Sequence, residues 1–284
     1  MDRRGVTVPY LSRRGILAAM TGAAVGPAAV GSAAVGSTAA QAGAGRRVAA
    51  GDLYPSNTAL YADPALVEGT DYGRRYRRHA RYDDSETTVT QYSVTVVLAL
   101  HGGGIEPGTS ELCHAIAGYH PADLAPVGGQ IYDLWTFEGI RSTNNGDLHV
   151  TSTHCDDPVA LSLCAGAHRA VSLHGCTTTQ AGLPAGTAAV LVGGRDTTLK
   201  SALLTAYAGV GIVAIDAAGT PALAGTEPSN IVNRTLTGAG AQLELTTPMR
   251  EAMFTTNTRP RRRYTTTAAF WRFVEATRAA LAGA

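Results

Sequence analysis

Short apolar runs alternate with longer segments of helical periodicity from about residue 93 to the end of the chain. The short runs predict strands, and the longer segments predict helices that pack on the resulting sheet. The predicted strands are 93–100, 130–137, 148–152, 170–173, 188–192, 211–215 and 241–246. The predicted helices are 110–117, 158–167, 197–208 and 265–281. This alternation is typical of an α/β protein whose sheet is covered on both faces.

Polar residues mark the starts of two predicted helices and one long connection. Thr109 or Ser110 is expected to cap the first helix, and Asp156 or Asp157 the second. The connection 216–233 contains glycine, proline and asparagine and is long enough to be a binding loop.

Residues 1–42 have the pattern of an export signal. Ser12-Arg13-Arg14-Gly15 precedes a long run of alanine, glycine and valine that ends in small residues near Ala42. This arrangement is typical of a twin-arginine signal with its cleavage site. An ordinary apolar helix is the alternative, but the run is rich in glycine and contains Pro27. We therefore expect a signal peptide at 1–42 and one catalytic domain at 43–284, secreted without a membrane anchor.

The charge of the chain gives no support to nucleic-acid binding. Removing the predicted signal removes one acidic and four basic residues, which changes the formal net charge from +1 to −2. Two basic clusters remain, at 74–79 and 259–263. Such clusters are either solvated surfaces or contacts for a polyanionic substrate.

The four cysteines do not have the spacing of a zinc knuckle. They are Cys113, Cys155, Cys164 and Cys176. Export permits disulfides, and three pairings are possible. We expect disulfides or buried thiols and no cysteine ligand to a metal.

The stretch LALHGGGIEPGTSEL at 98–112 allows two chemical interpretations. The glycines after His101 could form the oxyanion loop of a serine hydrolase. That enzyme class also needs a G-x-S-x-G nucleophile motif, which the chain does not contain. Ser110 lies in the same stretch, but it is flanked by Thr109 and Glu111.

The second interpretation is half of a metal site. His101 and Glu106 can reach one ion if the glycines and Pro107 let the chain fold back. His174 follows another predicted strand and could supply a third ligand, since ligands gather outside the strand ends of such sheets. Two histidines and one glutamate form a known catalytic zinc pattern. A structural role for either histidine, or a helix-capping role for Glu106, is the alternative.

A series of motifs resembles the phage-type poly-γ-glutamate hydrolase family, a zinc-carboxypeptidase-like group. The matching motifs, in order over about residues 52–284, are VEGTDY at 67–72, HGGGIEPGTSE at 101–111, LHVTSTH at 148–154, SLHG at 172–175, VGG at 192–194, NIVNR at 230–234 and QLEL at 242–245. One departure is His154-Cys155-Asp156-Asp157-Pro158, where family members usually have phenylalanine before Asp-Glu-Pro.

The resemblance implies a three-layer α/β/α fold with a mixed, mostly parallel sheet. It also implies Zn²⁺ bound by His101, Glu106 and His174, and Glu244 as the general base. Asn233 and Arg234 would bind a carboxylate of the substrate. Alternation in QLEL places Glu244 on the polar face of its strand, which is compatible with this role.

Three hypotheses for function follow from these residues. The first is an exported zinc amidohydrolase that cleaves γ-glutamyl amide bonds of poly-γ-glutamate or a related peptide. The second is a zinc carboxypeptidase or amidohydrolase acting on cell-wall peptides or N-acyl amino acids. The third is a non-catalytic exported binding protein, which should have lost a metal ligand or the base.

Overall fold

The computed structural model describes residues 51–79 and 92–283, so the predicted signal at 1–42 lies outside the described residues. The strands are β1 (Tyr72–Arg77), β2 (Tyr92–Gly103), β3 (Ile131–Gly139), β4 (Arg169–Cys176), β5 (Val190–Gly194), β6 (Ala214–Asp216) and β7 (Ala241–Thr246). The helices are α1 (Asn57–Tyr61), α2 (Thr109–Ile116), α3 (Pro158–Ala165), α4 (Thr197–Gly209), α5 (Thr247–Ala252), α6 (Arg259–Arg262) and α7 (Ala268–Gly283).

The seven strands form one mixed sheet in the order β1-β3-β2-β4-β7-β5-β6. Neighbouring strands are parallel in the centre, from β3 through β2 and β4 to β7. The β5–β6 pair is also parallel, whereas β1–β3 and β5–β7 are antiparallel. The carboxyl ends of β2, β4 and β7 therefore meet at one edge of the sheet, which is where ligands bind in such folds.

Alternate residues of β2 enter two separate apolar cores, one on each face of the sheet. Val97 and Ala99 pack into the core that contains α2, α4 and α7. Val96, Leu98 and Leu100 pack into the core on the other face, which contains α3. Because both faces are covered, the central strand is apolar at nearly every position. The predicted three-layer α/β/α architecture with a mixed, mostly parallel sheet is confirmed.

The predicted strand at 148–152 is wrong. The chain there forms two short 3₁₀ segments, Asn145–Leu148 and Ser152–His154, with His149 extended between them. Leu148 and Val150 are buried, so the alternation that suggested a strand reflects burial alone. The backbone N–H of Thr151 donates to Asp52 Oδ2 at 2.8 Å instead of to a neighbouring strand.

The sequence analysis missed strand β1. Its arginines are partly or fully exposed and hide the apolar pattern, as is common for edge strands. Arg74 pairs with Glu68 at 2.7 Å and with Asp157 at 3.2 Å. The first basic cluster thus has intramolecular partners, and a contact with a polyanion stays a prediction.

The helix caps were predicted correctly for one of two helices. Asp157 caps α3, because its Oδ1 accepts from the N–H groups of Val159 and Ala160 at 2.9 Å each. For α2 the capping residue is Gly108, at φ +102°, and no side chain caps the helix. Thr109 and Ser110 lie inside that helix, so their predicted capping role is wrong.

Helices of the described residues are too short or too polar to cross a lipid bilayer.

Glycine is required at 103 for two reasons, a left-handed backbone and a close contact. Gly103 has φ +66°, and a Cβ placed there would lie 2.3 Å from the carbonyl oxygen of Gly139. Gly182 has φ +67°, but a Cβ there would meet nothing within 4 Å.

We expect Gly182→Ala to lower the free energy of unfolding by about 1–2 kcal/mol, because of the backbone conformation alone. Gly103→Ala should cost clearly more. Denaturant unfolding of both variants measures the difference, and equal losses would show that β3 moves freely to accommodate the methyl group.

Candidate metal centre and active site

Three strand ends bring the predicted chemical groups to one point. His101 lies near the end of β2, His174 in β4 and Glu244 in β7. His174 and Glu244 are direct partners in the β4–β7 register. Glu106 follows β2, and its backbone N–H donates to the carbonyl of His101 at 2.7 Å, which turns the chain back on itself.

His101, Glu106 and His174 converge as the sequence predicted. The Nδ1 atoms of the two histidines are 3.2 Å apart. His101 Nδ1 is 3.1 Å from Glu106 Oε1, and His174 Nδ1 is 3.8 Å from Glu106 Oε2. Both histidines are almost fully buried. Two imidazole nitrogens and a carboxylate oxygen at this spacing fit Zn²⁺, with room for a further ligand from the cavity.

Neighbouring groups orient each of these donors. His101 Nε2 donates to the carbonyl of Val150 at 2.9 Å, which directs Nδ1 toward Glu106 and His174. The N–H of Gly175 donates to Glu106 Oε2 at 2.8 Å. Ser152 Oγ lies 3.4 Å from His174 Nε2. Hydrogen bonds within the protein therefore fix the orientation of His101 and Glu106.

The ionisation of two of the three donors, Glu106 and His174, suits a metal. Burial acts to raise the pKa of Glu106, but the surrounding imidazoles of His101, His174 and His149 hold it well below its usual value. Burial lowers the pKa of His174 to about 3, although Glu106 lies nearby, so this imidazole is neutral. An ionised carboxylate and a neutral imidazole are the forms that bind a metal ion.

His149 was not predicted as a site residue, but it belongs to this group. Its ring stacks on His101 with the centroids 3.9 Å apart. His101, Glu106 and His149 each offer one potential ligand atom, and these three atoms lie within 4.8 Å of one another. Asp52 Oδ1 accepts from His149 Nδ1 at 2.7 Å, which leaves Nε2 free to face Glu106 Oε1 at 3.9 Å. Only the LHVTSTH motif carried a sequence signal for this residue.

Glu244 is buried in the same cavity and is held by a chain of side-chain amides. Asn230 Nδ2 donates to Gln242 Oε1 at 2.8 Å, and Gln242 Nε2 donates to Glu244 Oε1 at 2.9 Å. Burial, together with the negative charge of Glu106, raises the pKa of Glu244 to about 8. A carboxyl group with a pKa near neutrality can both accept and return a proton.

A cavity of about 290 Å³ opens over these groups. Residues of the connection 216–233 form one wall, and the role of this connection as a binding loop stays a prediction. The other walls carry hydroxyl and amide groups, among them Thr151, Ser152 and Gln180. The cavity therefore suits a polar substrate.

Asn233 and Arg234 do not join the group. The amide of Asn233 donates to the carbonyls of Gly225 and Glu227, and its Oδ1 accepts from the N–H of Gly240. These bonds shape the loop. Arg234 is exposed and lies outside the cavity lining. Their binding of a substrate carboxylate stays a prediction, and the cavity contacts do not support it.

Arg250 is a buried cation beside the site that the sequence analysis missed. Its guanidinium donates to the carbonyls of Leu245 at 3.1 Å and Pro107 at 3.0 Å. It thereby ties the loop that carries Glu106 to the end of β7. A Cβ on Gly175 would lie 2.6 Å from this guanidinium, which explains the glycine after His174.

The glycines after His101 serve packing and do not form an oxyanion loop. The N–H of Gly103 donates to Ser110 Oγ at 3.1 Å, and the N–H of Gly104 donates to the carbonyl of Gly139 at 2.8 Å. Ser110 is buried and accepts a hydrogen bond where a nucleophile would need a base. No histidine contact is described for Ser110 within residues 51–79 and 92–283, and the chain has no G-x-S-x-G motif, so the serine-hydrolase interpretation gains no support.

All four cysteines are buried free thiols, as one of the sequence alternatives expected. Cys176 lines the cavity, and burial raises the pKa of its thiol to about 12. It is therefore a neutral wall residue.

The raised pKa of Glu244 predicts a pH-dependent stability of protein stripped of metal by a chelator. The unfolded carboxyl ionises near 4.5 and the folded one near 8, so between these values only the folded state holds the proton. Stability from this group is therefore lost as the pH rises through that window. Relative to wild type, Glu244→Gln should gain at least about 1 kcal/mol between pH 5 and 8 in denaturant unfolding. Glu251→Gln, at an exposed position, is the control. A constant difference across this range would mean that Glu244 is ionised throughout.

The chain is similar to several known proteins. It matches the family described as poly-gamma-glutamate hydrolase over residues 73–276. It is 33% identical over 226 residues to YoqZ, an SPbeta prophage-derived protein of Bacillus subtilis, which covers 76% of this chain and 74% of YoqZ. It is 32% identical over 183 residues to YndL of Bacillus subtilis, which covers 64% of this chain and 65% of YndL, just under two thirds of that relative.

Two solved structures share the fold. A bacteriophage poly-gamma-glutamate hydrolase superposes with a TM-score of 0.66 at 32% identity, covering 82% of this chain and 97% of that one. A zinc-free apo structure of YndL superposes with a TM-score of 0.67 at 29% identity, covering 81% and 98%. The sequence match spans most of the described residues, and the relatives share the same sheet. The chain therefore belongs to the poly-γ-glutamate hydrolase family.

Proposed function

We propose that this protein is an exported, zinc-dependent amidohydrolase that cleaves the γ-glutamyl amide bonds of poly-γ-glutamate. The observation that carries the proposal is the convergence of His101, Glu106 and His174 with the buried carboxyl of Glu244 in one polar cavity. Membership of the hydrolase family supports the substrate class. The zinc-free form described for YndL supports the identity of the metal.

His101, Glu106 and His174 would hold the zinc ion. When bound, zinc polarises the amide carbonyl and increases the acidity of the attacking water. His101 Nδ1 lies 3.1 Å from Glu106 Oε1, and a proton on this nitrogen would have to be lost for it to act as a ligand. The hydrogen bonds from His101 to Val150 and from Gly175 to Glu106 keep the remaining donor directions fixed.

Glu244 takes the proton of the attacking water and returns it to the leaving amine. Gln242 and Asn230 hold one carboxylate oxygen of Glu244 in place, so the group does not need to reorient between the two transfers. The bonds change as in any amide hydrolysis: the carbonyl carbon gains a hydroxyl, and the amide nitrogen leaves as an amine. General acid–base groups of this kind contribute about 10²- to 10⁴-fold to rate.

Poly-γ-glutamate carries one carboxylate on each residue, and the cavity wall carries uncharged hydrogen-bond donors. Thr151, Ser152 and Asn230 line the cavity. Arg234 lies outside this lining and is exposed, so it would meet a glutamyl unit that extends beyond the cavity. Arg250 has its donors occupied by the backbone and Thr247, so its role is to position the loop of Glu106.

Loss of a ligand should remove the metal. We expect His174→Ala to lower the zinc content per chain strongly, because the site keeps only one of its two predicted nitrogen donors. His168→Ala, at an exposed position away from the cavity, is the matched control. Elemental analysis after dialysis measures bound zinc, and circular dichroism checks the fold. Full zinc content in a folded His174→Ala protein would show that His174 is not required and would assign the third ligand to another group such as His149.

Loss of the base should stop catalysis without removing the metal. Zinc-loaded wild-type protein should shorten long poly-γ-glutamate, as followed by size-exclusion chromatography. Glu244→Gln should slow this reaction about 10²- to 10⁴-fold at unchanged zinc content. Glu275→Gln, exposed on α7, serves as the control.

The alternatives give different results in the same assay. Cleavage of peptidoglycan stem peptides or N-acyl amino acids, with poly-γ-glutamate left intact, would show that the substrate assignment is wrong. Full turnover by zinc-loaded Glu244→Gln would assign the base to another group.

A further inference from the structure

A second cavity of about 370 Å³ lies beside the catalytic one and shares none of its lining residues. Segment 103–111 separates the two cavities. Glu106 lines the catalytic cavity, whereas Gly103, Ser110 and Glu111 line the second. The other walls come from β1, the end of β3, the connection after α2, and the basic cluster at 259–263.

Two buried polar groups in this cavity lack a hydrogen-bond partner. Glu111 is 8% exposed and His114 is 6% exposed. Glu111 Oε1 pairs with Arg262 at 3.1 Å, but Glu111 Oε2 has no partner. His114 Nε2 also has none. Both residues line the cavity. Leaving a buried polar atom without a partner is unfavourable, so two such side chains at one cavity favour a polar ligand there.

The cavity carries both signs of charge. Glu138 and Asp123 add two further carboxylates, of which Glu138 pairs with Arg75 at 3.0 Å. Arg259 and Arg263 also line the cavity and are exposed. No ion pair is described for either of these two arginines within residues 51–79 and 92–283. A ligand with a cationic donor at one end and a carboxylate at the other would complement both signs of charge.

We infer that this cavity binds a small zwitterion, an amino acid or a short peptide with a free amino group and a carboxylate. The ammonium group donates to Glu111 Oε2 and His114 Nε2, the unpaired atoms of two side chains that line the cavity. The carboxylate contacts Arg259 and Arg263, for which the planar guanidinium is well suited. This assignment does not depend on the proposed hydrolase activity.

The ligand would also contact Glu111, whose partner Arg262 holds the backbone at Gly103. Arg262, the partner of Glu111, donates through Nη2 to the carbonyl of Gly103 at 2.5 Å. Gly103 is two residues from His101 in β2. The second cavity is therefore a distinct site that shares one structural wall with the catalytic site.

Calorimetric titration of zinc-loaded full-length protein tests the inference, with glutamate and γ-glutamylglutamate as probes. We expect saturable binding with a Kd of about 1 mM or tighter. Arg259→Ala/Arg263→Ala and His114→Leu should each weaken it about tenfold or more, because charge-assisted contacts are lost. Arg261→Ala is the matched control, since Arg261 lies in the same basic cluster but does not line the cavity.

Two further measurements distinguish this cavity from the catalytic one. Ligand binding should shift the ¹⁵N signals of the His114 imidazole, which the catalytic cavity does not contain. N-acetylglutamate, which lacks the ammonium group, should bind at least about tenfold more weakly. Binding that the cavity variants leave unchanged, equal affinity for N-acetylglutamate, or no saturable binding at all would each overturn the inference.

Discussion

The end of β2 can pack closely against its neighbours only because three glycines follow His101. A Cβ on Gly102 would lie 2.0 Å from Ser110 Oγ, one on Gly103 would lie 2.3 Å from the Gly139 carbonyl, and one on Gly104 would lie 2.5 Å from the amide of Asn145. With no side chains in the way, the chain turns tightly and brings Glu106 back to His101. The convergence of Glu106 with His101 and His174, the hydrogen bond from Gly175 and the contact with Arg250 all depend on that turn.

The second constraint is electrostatic. Glu106 and Glu244 are buried in one cavity, and like charges in a low-dielectric environment disfavour ionisation of both. The structure separates their roles: three imidazoles keep Glu106 ionised, and Glu244 takes the proton. A bound dication would favour ionisation of Glu244 as well, which is the state that a general base requires.

Much of the site could be predicted because its residues lie at the ends of apolar strands. His101 and His174 each follow a run of buried residues, and parallel strands bring their ends together. The grouping with Glu244 needed the family resemblance, because alternation in β7 says only which residues share a face. The position of Arg234 was not predictable, because a loop residue's direction is set by hydrogen bonds such as those of Asn233 and not by periodicity.

The residues that sequence reasoning missed act through distant partners. Asp52 orients His149 from 97 positions away, and Arg250 reaches Pro107 from 143 positions away. Local patterns report burial and do not identify such partners. The same limit explains the false strand at 148–152, where burial of Leu148 and Val150 imitates sheet alternation while Asp52 holds the backbone in another conformation.

Segment 103–111 lies between the two cavities, and a buried arginine binds its backbone on each side. Arg250 binds the Pro107 carbonyl on the side of β7, and Arg262 binds the Gly103 carbonyl on the side of α6. An arginine can hold a carbonyl in this way only if its charge is balanced nearby, because an uncompensated buried cation is strongly unfavourable. Glu111 balances Arg262. Burial lowers the pKa of Arg250, and the ionised Glu106 nearby opposes part of that effect. Glu106 and Glu111 therefore have a structural role: they allow two buried cations to fix the loop that carries Glu106, the proposed metal ligand.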